Sequence, residues 1–148
     1  MPIPPLDQNG FLPVGIHDCA LAEIKARFGT FQGSDRRSRL VAQLEAFLAE
    51  AAKTGLVVGV VVEGSFVTAV PEPNDIDLIV VVAAGHDLRA DLGPTAYNIV
   101  SKKRVRTRFG FDIVAVREDS LEFDEAVGFF EQVRGGASRR KGLLRVRL

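Results

Sequence analysis

The sequence predicts an α/β (α+β) fold, in which helices pack mainly on one face of a mixed sheet of about four strands. Three short apolar runs carry this prediction, and segments with helical periodicity separate them: Leu56–Val62, Leu78–Ala84 and Phe111–Val116. Apolar runs of this length without alternation are typical of strands that are buried on both faces. Such strands need helices beside them, because a buried face must pack against another layer.

The size of the chain predicts a single domain, since 148 residues is close to the usual size of one folding unit. We expect an N-terminal arm and helix over residues 1–34, a core over residues 35–117, and a C-terminal helix and edge strand over residues 118–148. No apolar stretch approaches the roughly 20 residues of a membrane-spanning helix, and no signal peptide is recognisable. The single cysteine excludes an intrachain disulfide, so we expect a cytoplasmic protein.

The charges balance overall but are unevenly distributed along the chain. Residues 1–100 carry 7 Lys/Arg and 12 Asp/Glu, a net charge of −5, and residues 101–148 carry 12 and 7, a net charge of +5. Basic clusters at residues 101–108 and 139–141 cause this difference. They either serve phosphate groups or form a solvated surface. A non-specific nucleic-acid surface is not favoured, because no aromatic residues alternate with the charges for base stacking.

The N-terminal part predicts a proline-rich arm followed by two helices. Asp18 is the predicted N-cap of the first helix, in which apolar residues at helical spacing precede Gly29: Leu21, Ile24 and Phe28. A polar loop over residues 30–34 leads to a second helix, over residues 35–53, whose apolar residues share one face.

Cys19 lies in the first turn of the first predicted helix, where a helix N-terminus lowers a thiol pKa. Neither His17 nor His86 is identifiable as its partner. We therefore expect a packed cysteine rather than a catalytic thiol.

The C-terminal half predicts alternating strands and helices. A partly helical segment over residues 87–103, interrupted near Gly93-Pro94, precedes the third apolar run. Asp119 or Ser120 is the predicted cap of a last helix over residues 121–133, which Gly135-Gly136 ends. The tail, residues 143–148, alternates apolar and basic residues, which predicts a half-exposed edge strand.

Three carboxylates predict a site for divalent cations. Asp75 and Asp77 precede the second apolar run with the i, i+2 spacing that places two side chains on one face of a strand. Two adjacent carboxylates repel each other unless a cation such as Mg²⁺ lies between them.

Asp112 would complete the set if its strand lies beside the second one. Flanked by Phe111 and Ile113, it is expected to be buried, and buried carboxylates need partners. Three such groups can hold two ions about 3.5–4 Å apart.

Gly64-Ser65, directly after the first apolar run, predicts an anion site. Glycine lets the backbone approach a ligand closely, and free backbone N–H groups in a turn bind phosphate. Taken separately, a Gly-Ser pair is also an ordinary turn, and an Asp-x-Asp pair also occurs as a loop cap. Their occurrence together, in this order, favours a site for a metal-bound nucleoside triphosphate.

This arrangement resembles the polymerase-beta-type nucleotidyltransferase superfamily. The matching pattern over residues 35–117 is Gly64-Ser65, nine further residues, Asp75-Ile76-Asp77, and a third acid in a hydrophobic strand. The segments LPVGIHD, GSFVT and FFEQVR…KGLLRVRL resemble a small, uncharacterised bacterial branch of it. The resemblance implies that Gly64 and Ser65 grip a triphosphate.

The same resemblance implies that Asp75, Asp77 and Asp112 bind Mg²⁺ or Mn²⁺ and that Asp112 helps to deprotonate the acceptor. The expected reaction moves a nucleoside monophosphate from an NTP onto a hydroxyl group of a protein, an RNA or a small molecule. Small antitoxin-type members carry an arginine shortly after Gly-Ser, and this chain has none there. That absence shifts the phosphate grip to the basic segment, with Lys102 and Lys103 as candidates.

Two other functions stay open at this point. One is a non-catalytic nucleotide-binding or toxin–antitoxin-like interaction module on the same fold, with a second copy of the chain or a co-encoded protein as partner. The other is a nucleotide-sugar glycosyltransferase, which is disfavoured because only 74 residues precede Asp75. No membrane partner is expected.

Overall fold

The computed structural model describes residues 3–29, 35–85, 93–133 and 140–148, and the elements below lie within them. The strands are β1 (Ile16–Asp18), β2 (Val57–Glu63), β3 (Asp77–Val82), β4 (Asp112–Arg117) and β5 (Leu143–Arg147). The helices are α1 (Leu21–Phe28), α2 (Arg36–Lys53), α3 (Pro94–Val100), α4 (Lys102–Phe109) and α5 (Leu121–Phe130). The predicted loop at residues 30–34, part of the predicted helix over residues 87–103, and the stop at Gly135-Gly136 lie outside the described residues.

The five strands form one mixed sheet in the order β1-β5-β2-β3-β4, which confirms the predicted α+β fold. Strand β2 is antiparallel to both β5 and β3, whereas β3 and β4 are parallel. The end of β2 and the beginnings of β3 and β4 therefore meet at one end of the sheet. The strand missed by the sequence is β1, which has three residues and is too short to show a periodicity.

Most helices pack on one face of the sheet, as the sequence predicts. Helices α1, α2, α3 and α4 contribute to the larger core cluster, where Phe47 contacts Phe109 edge to face at 5.3 Å between ring centroids. Among the described helices, α5 packs on the opposite face, through Phe123, Ala126, Val127 and Phe130. No residue of α5 is fully buried. Coverage of both faces explains why β2 and β3 are apolar apart from Glu63 and Asp77 at one end of each strand. No helix among the described residues combines the length and apolarity needed to cross a membrane.

The tail strand β5 is internal to the sheet, so its predicted edge position is wrong. It lies between β1 and β2 and pairs with both. Leu144 and Val146 face the larger core, while Arg145 and Arg147 point to the other face. The alternation of apolar and basic residues therefore reflects a sheet face that α5 only partly covers. It does not indicate a missing neighbour.

Asp18 does not cap α1, contrary to the sequence prediction. Ala20 occupies the N-cap position, and its amide donates to Glu23 Oε1 at 3.1 Å. Asp18 instead ends β1, where its carboxylate accepts hydrogen bonds from Arg145 Nε at 2.6 Å and Nη2 at 3.1 Å. Asp18 thus binds a side chain 127 residues away in sequence instead of the backbone at the start of α1.

The basic segment forms a helix of its own, which the sequence analysis did not predict. Ser101 caps α4 by accepting from the Arg104 amide at 3.3 Å, and Gly110 ends it with a φ of +77°. Only Val105 and Phe109 of this helix are buried, so its apolar stripe is too narrow to be recognised from periodicity. Further along, Ser120 caps α5 as predicted, by accepting from the Phe123 amide at 3.0 Å. That helix ends at Phe130, three residues earlier than expected.

Candidate metal centre

Asp75, Asp77 and Asp112 converge at the end of the sheet where β3 and β4 begin. Asp77 and Asp112 are register partners across these two parallel strands, and Asp75 lies two residues before Asp77. One carboxylate oxygen from each of the three residues lies within 4.8 Å of the other two. The strand pairing that the sequence analysis required is therefore present.

Asp112 is exposed, so the expectation that it is buried is wrong. Its side chain is 64% exposed, compared with 27% for Asp75. Asp112 is the first residue of the edge strand β4, so its side chain lies at the end of the sheet, on the face that α5 only partly covers. The flanking residues Phe111 and Ile113 are buried on the other face. Apolar neighbours in sequence therefore do not imply burial for the residue between them.

Gly64 places the main chain directly against the Asp77 carboxylate. Its φ of +84° and ψ of −167° are conformations that only glycine adopts readily. A Cβ atom at this position would lie 2.5 Å from Asp77 Oδ2, which is closer than van der Waals contact permits. Both the backbone conformation and the available space thus require glycine, and the turn after β2 is held beside the acidic group.

The turn over residues 64–68 is short and leaves backbone donors available. The Val67 and Thr68 amides donate to the Gly64 and Ser65 carbonyls at 3.3 and 3.2 Å. Within the described parts of the chain, the amides of Ser65 and Phe66 have no hydrogen-bond acceptor. Ser65 is partly exposed. Amides and a hydroxyl group in such a turn can bind an anionic oxygen next to the carboxylates.

Arg37 fixes this turn from the buried side. Its side chain is 1% exposed and donates to the carbonyls of Phe28, Phe66, Thr68 and Val70. The bonds to Phe66 and Thr68 measure 2.7 and 2.9 Å. Burial lowers the pKa of Arg37 to about 10, so the guanidinium stays charged at neutral pH. A rigid, planar donor therefore holds the loop that follows the Gly-Ser pair.

Arg106 of α4 neutralises part of the acidic group. Its Nη1 donates to Asp75 Oδ2 at 3.0 Å and lies 3.5 Å from Asp112 Oδ1. The same atom donates to the Gly110 carbonyl at 2.8 Å. The hydrogen bond to Asp75 and the charge of Asp112 raise the pKa of Arg106. The basic segment thus folds back over the site, and it does so as a helix.

Glu63 is a functional candidate that the sequence analysis missed. It is the last residue of β2, is 0% exposed, and is the register partner of Asp77. Neither of its carboxyl oxygens has a hydrogen-bond partner among the described residues. Burial, followed by the charge of Asp77, raises the pKa of Glu63 to about 9. In the sequence, Glu63 could have been recognised as an acidic residue that ends an otherwise apolar strand directly before Gly64.

A cavity of about 330 Å³ opens beside the carboxylates. Its lining is acidic and basic at one side and apolar at the other: Asp77, Leu78, Lys102, Asp112, Ile113, Val114 and Phe130. Both predicted lysines are exposed, but Lys102 lines the cavity and Lys103 does not. The cavity combines charged groups for phosphate and metal with an apolar wall.

Cys19 has the properties of a packed thiol, as expected. It is partly buried, and this burial, with the nearby charges of Glu23 and Asp18, raises its pKa to about 11. His17 Nε2 lies 2.7 Å from the Pro13 carbonyl oxygen. His86 lies outside the described residues. A thiol that stays protonated at neutral pH is a poor nucleophile.

The donor set of this centre fits a hard divalent cation. Carboxylate oxygens are the ligands that Mg²⁺ and Mn²⁺ prefer, and the three aspartates supply them within a small volume. The buried Glu63 carboxyl lacks a protein partner in the described regions, which is a second indication of a ligand at this place.

Comparison with known proteins identifies a family but no function. A family model described as "Family of unknown function (DUF6932)" matches residues 4–147, nearly the whole chain. No curated protein and no solved structure matches the chain.

Proposed function

The chain belongs to the family of unknown function DUF6932, and from the geometry of its acidic site we propose that it is a metal-dependent nucleotidyltransferase. The observation that carries this proposal is the convergence of Asp75, Asp77 and Asp112 beside the Gly64 turn. Few chemistries need a cluster of hard-cation ligands next to backbone donors for an anion, and transfer from a nucleoside triphosphate is one of them. The resemblance to the polymerase-beta-type superfamily supports the same conclusion.

In this proposal the three aspartates hold Mg²⁺ or Mn²⁺, and the turn holds the triphosphate. A bound divalent cation would neutralise charge on the phosphate oxygens. Ser65 and the free amides of the turn would donate to the same phosphates. Gly64 has no side chain between these donors and Asp77, so phosphate and carboxylates can be close. Lys102, which lines the cavity, would add a positive charge.

The proposed reaction is a displacement at the α-phosphorus. The oxygen of an acceptor hydroxyl forms a bond to the α-phosphorus, the bond to the bridging oxygen breaks, and pyrophosphate leaves with the electron pair. Asp112 accepts the proton of the hydroxyl and later releases it to water. Its 64% exposure suits this role, because a large acceptor can reach an exposed carboxylate. The acceptor is a hydroxyl group of a protein, an RNA or a small molecule.

The cavity fits the nucleoside part of such a substrate. Val114 and Phe130 form an apolar wall on the side of α5, next to the acidic residues. An aromatic ring and an aliphatic side chain are suitable surfaces for a base. The single cysteine agrees with a cytoplasmic location, which is part of the proposal together with a second copy of the chain or a co-encoded protein as partner.

Arg106 favours a second candidate function, a non-catalytic nucleotide-binding or toxin–antitoxin-like module. Because its guanidinium already contacts Asp75 and Asp112, the carboxylates have a counter-ion without any metal. A protein that works only by binding would not need a metal at this place. The two functions differ in their response to nucleotide and metal, and the following experiment separates them.

We would measure the thermal unfolding of the wild type with ATP, GTP, CTP and UTP, each with and without Mg²⁺ or Mn²⁺. A ligand at 100 times its Kd stabilises a protein by about 2.7 kcal/mol, which corresponds to several degrees for a domain of this size. We expect a metal-dependent increase in Tm that Asp77→Asn abolishes. Asp124→Asn, which removes an exposed carboxylate from α5, is the matched control and should keep the increase.

Release of pyrophosphate from the stabilising triphosphate then tests catalysis itself. Release that depends on metal and disappears in Asp77→Asn supports the enzyme. A Tm increase without pyrophosphate release, in the presence of candidate acceptors, would favour the binding module. The absence of any Tm increase with all four triphosphates would contradict the nucleotide site.

A further inference from the structure

Glu63 belongs to a row of three acidic residues on one face of the sheet. It is opposite Asp77 across the antiparallel strands β2 and β3, and Asp77 is opposite Asp112 across the parallel strands β3 and β4. Directly paired residues point to the same face, with Cβ atoms roughly 4.5–5.5 Å apart. Their strand neighbours Val61 and Ile79 belong to the cluster under α5, so this row lies on the side where the cavity opens.

The burial of Glu63 is unfavourable for the fold itself. Its side chain is 0% exposed, and no described group hydrogen bonds to either carboxyl oxygen. Burying a carboxyl group without hydrogen bonds destabilises a protein, and the negative charge of Asp77 increases this effect. The positive charge of Lys141 acts in the opposite direction to that of Asp77, but Lys141 donates no hydrogen bond to Glu63. An apolar residue, such as those before it in β2, would pack here without this penalty.

Unfavourable groups of this kind concentrate at functional sites, where a ligand satisfies them. A ligand that satisfies Glu63 must bind its carboxyl oxygens on the side that faces Asp77. A divalent cation meets this requirement, because it binds several carboxylates and compensates their charges together. An anion does not, since it would add to the repulsion.

We propose that Glu63 is a fourth carboxylate of the metal centre and binds a second divalent cation that it shares with Asp77. This inference rests on the proposed function, because it extends the same centre. Glu63 is not among the three residues whose oxygens lie within 4.8 Å of one another. Glu63 therefore contributes to a second metal position next to the one that the three aspartates form. Glu63 is buried, whereas Asp75 is partly exposed and Asp112 is exposed.

Titration of the metal-free protein with Mn²⁺ alone, followed by the electron paramagnetic resonance signal of free Mn²⁺, tests this proposal. We expect two Mn²⁺ per wild-type chain. Glu63→Gln should lose the second ion or bind it at least tenfold more weakly, and keep the first. Glu45→Gln removes an exposed carboxylate that pairs with Lys25 on the outside of α2, and should still bind two ions.

Thermal unfolding of a second variant separates metal binding from a structural role. Glu63→Met places an apolar side chain of similar size in the buried position. Without metal we expect a Tm above that of the wild type, and with Mn²⁺ a smaller increase than the wild type shows. A residue needed only for folding would instead give a lower Tm without metal. That result, combined with unchanged Mn²⁺ binding by Glu63→Gln, would overturn the proposal.

Failure of this inference is distinguishable from failure of the proposed function. If the wild type binds Mn²⁺ and Glu63→Gln binds the same number of ions with the same affinity, Glu63 is no ligand, and the aspartate centre remains. If the wild type binds no Mn²⁺, with or without a triphosphate, both the proposed function and this inference are wrong.

Discussion

Arg106 donates a 3.0 Å hydrogen bond to Asp75, one of the three aspartates of the acidic group. The guanidinium also lies 3.5 Å from Asp112, so it is located where a cation would bind. A metal ion that binds Asp75 and Asp112 therefore has to displace Arg106. Once displaced, the arginine is on a helix next to the site, where it can contact a triphosphate instead.

Replacement of Arg106 by glutamine should therefore increase the affinity for Mn²⁺ alone. We expect only a few-fold change, because exposed ion pairs contribute little. The same variant should bind the Mn²⁺–triphosphate complex more weakly than the wild type. Calorimetric titration with Mn²⁺, with and without triphosphate, measures both effects. Arg108→Gln removes a charge from the same helix, but that residue pairs with Glu50, so neither affinity should change. A weaker affinity of Arg106→Gln for Mn²⁺ alone would contradict this competition.

Gly64→Ala should disrupt the site through both conformation and space. The added Cβ would lie 2.5 Å from Asp77 Oδ2, at a φ of +84°. Gly55→Ala is the matched control, because Gly55 also has a positive φ, of +65°, but open space around the added atom. The control should lose about 1–2 kcal/mol in the free energy of unfolding. Gly64→Ala should lose more, as measured by urea denaturation, and should show no metal-dependent nucleotide response. Equal losses in the two variants would show that contact with Asp77 is unimportant.

The Asp18–Arg145 pair predicts a loss of stability in acid. The hydrogen bond from Arg145 lowers the pKa of Asp18 below the usual value of 3.8. A lowered pKa in the folded state means that the ionised pair stabilises the fold above about pH 3.8. This contribution disappears as the pH falls through the folded-state pKa. The difference in unfolding free energy between wild type and Asp18→Asn should therefore be constant near neutral pH and decrease in acid.

Urea denaturation at a series of pH values measures this difference. Arg145→Gln removes the main partner of Asp18 and should give a pH profile of the same shape but smaller amplitude, because Arg147 Nε still lies 3.5 Å from Asp18 Oδ1. A difference between wild type and Asp18→Asn that stays constant down to the lowest pH would show that the pair does not contribute through ionisation. The contribution is modest, because the Asp18 side chain is 38% exposed and partly screened by water.

The sequence by itself determined the elements with strong periodicity and the members of the acidic site. Helix α2 and strands β2, β3 and β4 lie within one or two residues of their predicted positions at most ends, because buried faces impose long regular apolar patterns. The spacing between Gly64 and Asp77 predicted that the turn and the carboxylates belong together. Local chemistry decides these features, and local chemistry can be read from the order of residues.

The tertiary structure alone decided which residues are neighbours across the sheet. The insertion of β5 between β1 and β2, the pairing of Asp18 with Arg145, and the contact of Arg106 with Asp75 all join segments far apart in sequence. It also decided burial: Asp112 is exposed at the end of an edge strand, whereas Glu63 is 0% exposed at the end of β2, which lies inside the sheet. Both acids have apolar neighbours in sequence, so periodicity could not distinguish them. Burial depends on what packs above a residue, and that is fixed only when distant elements meet.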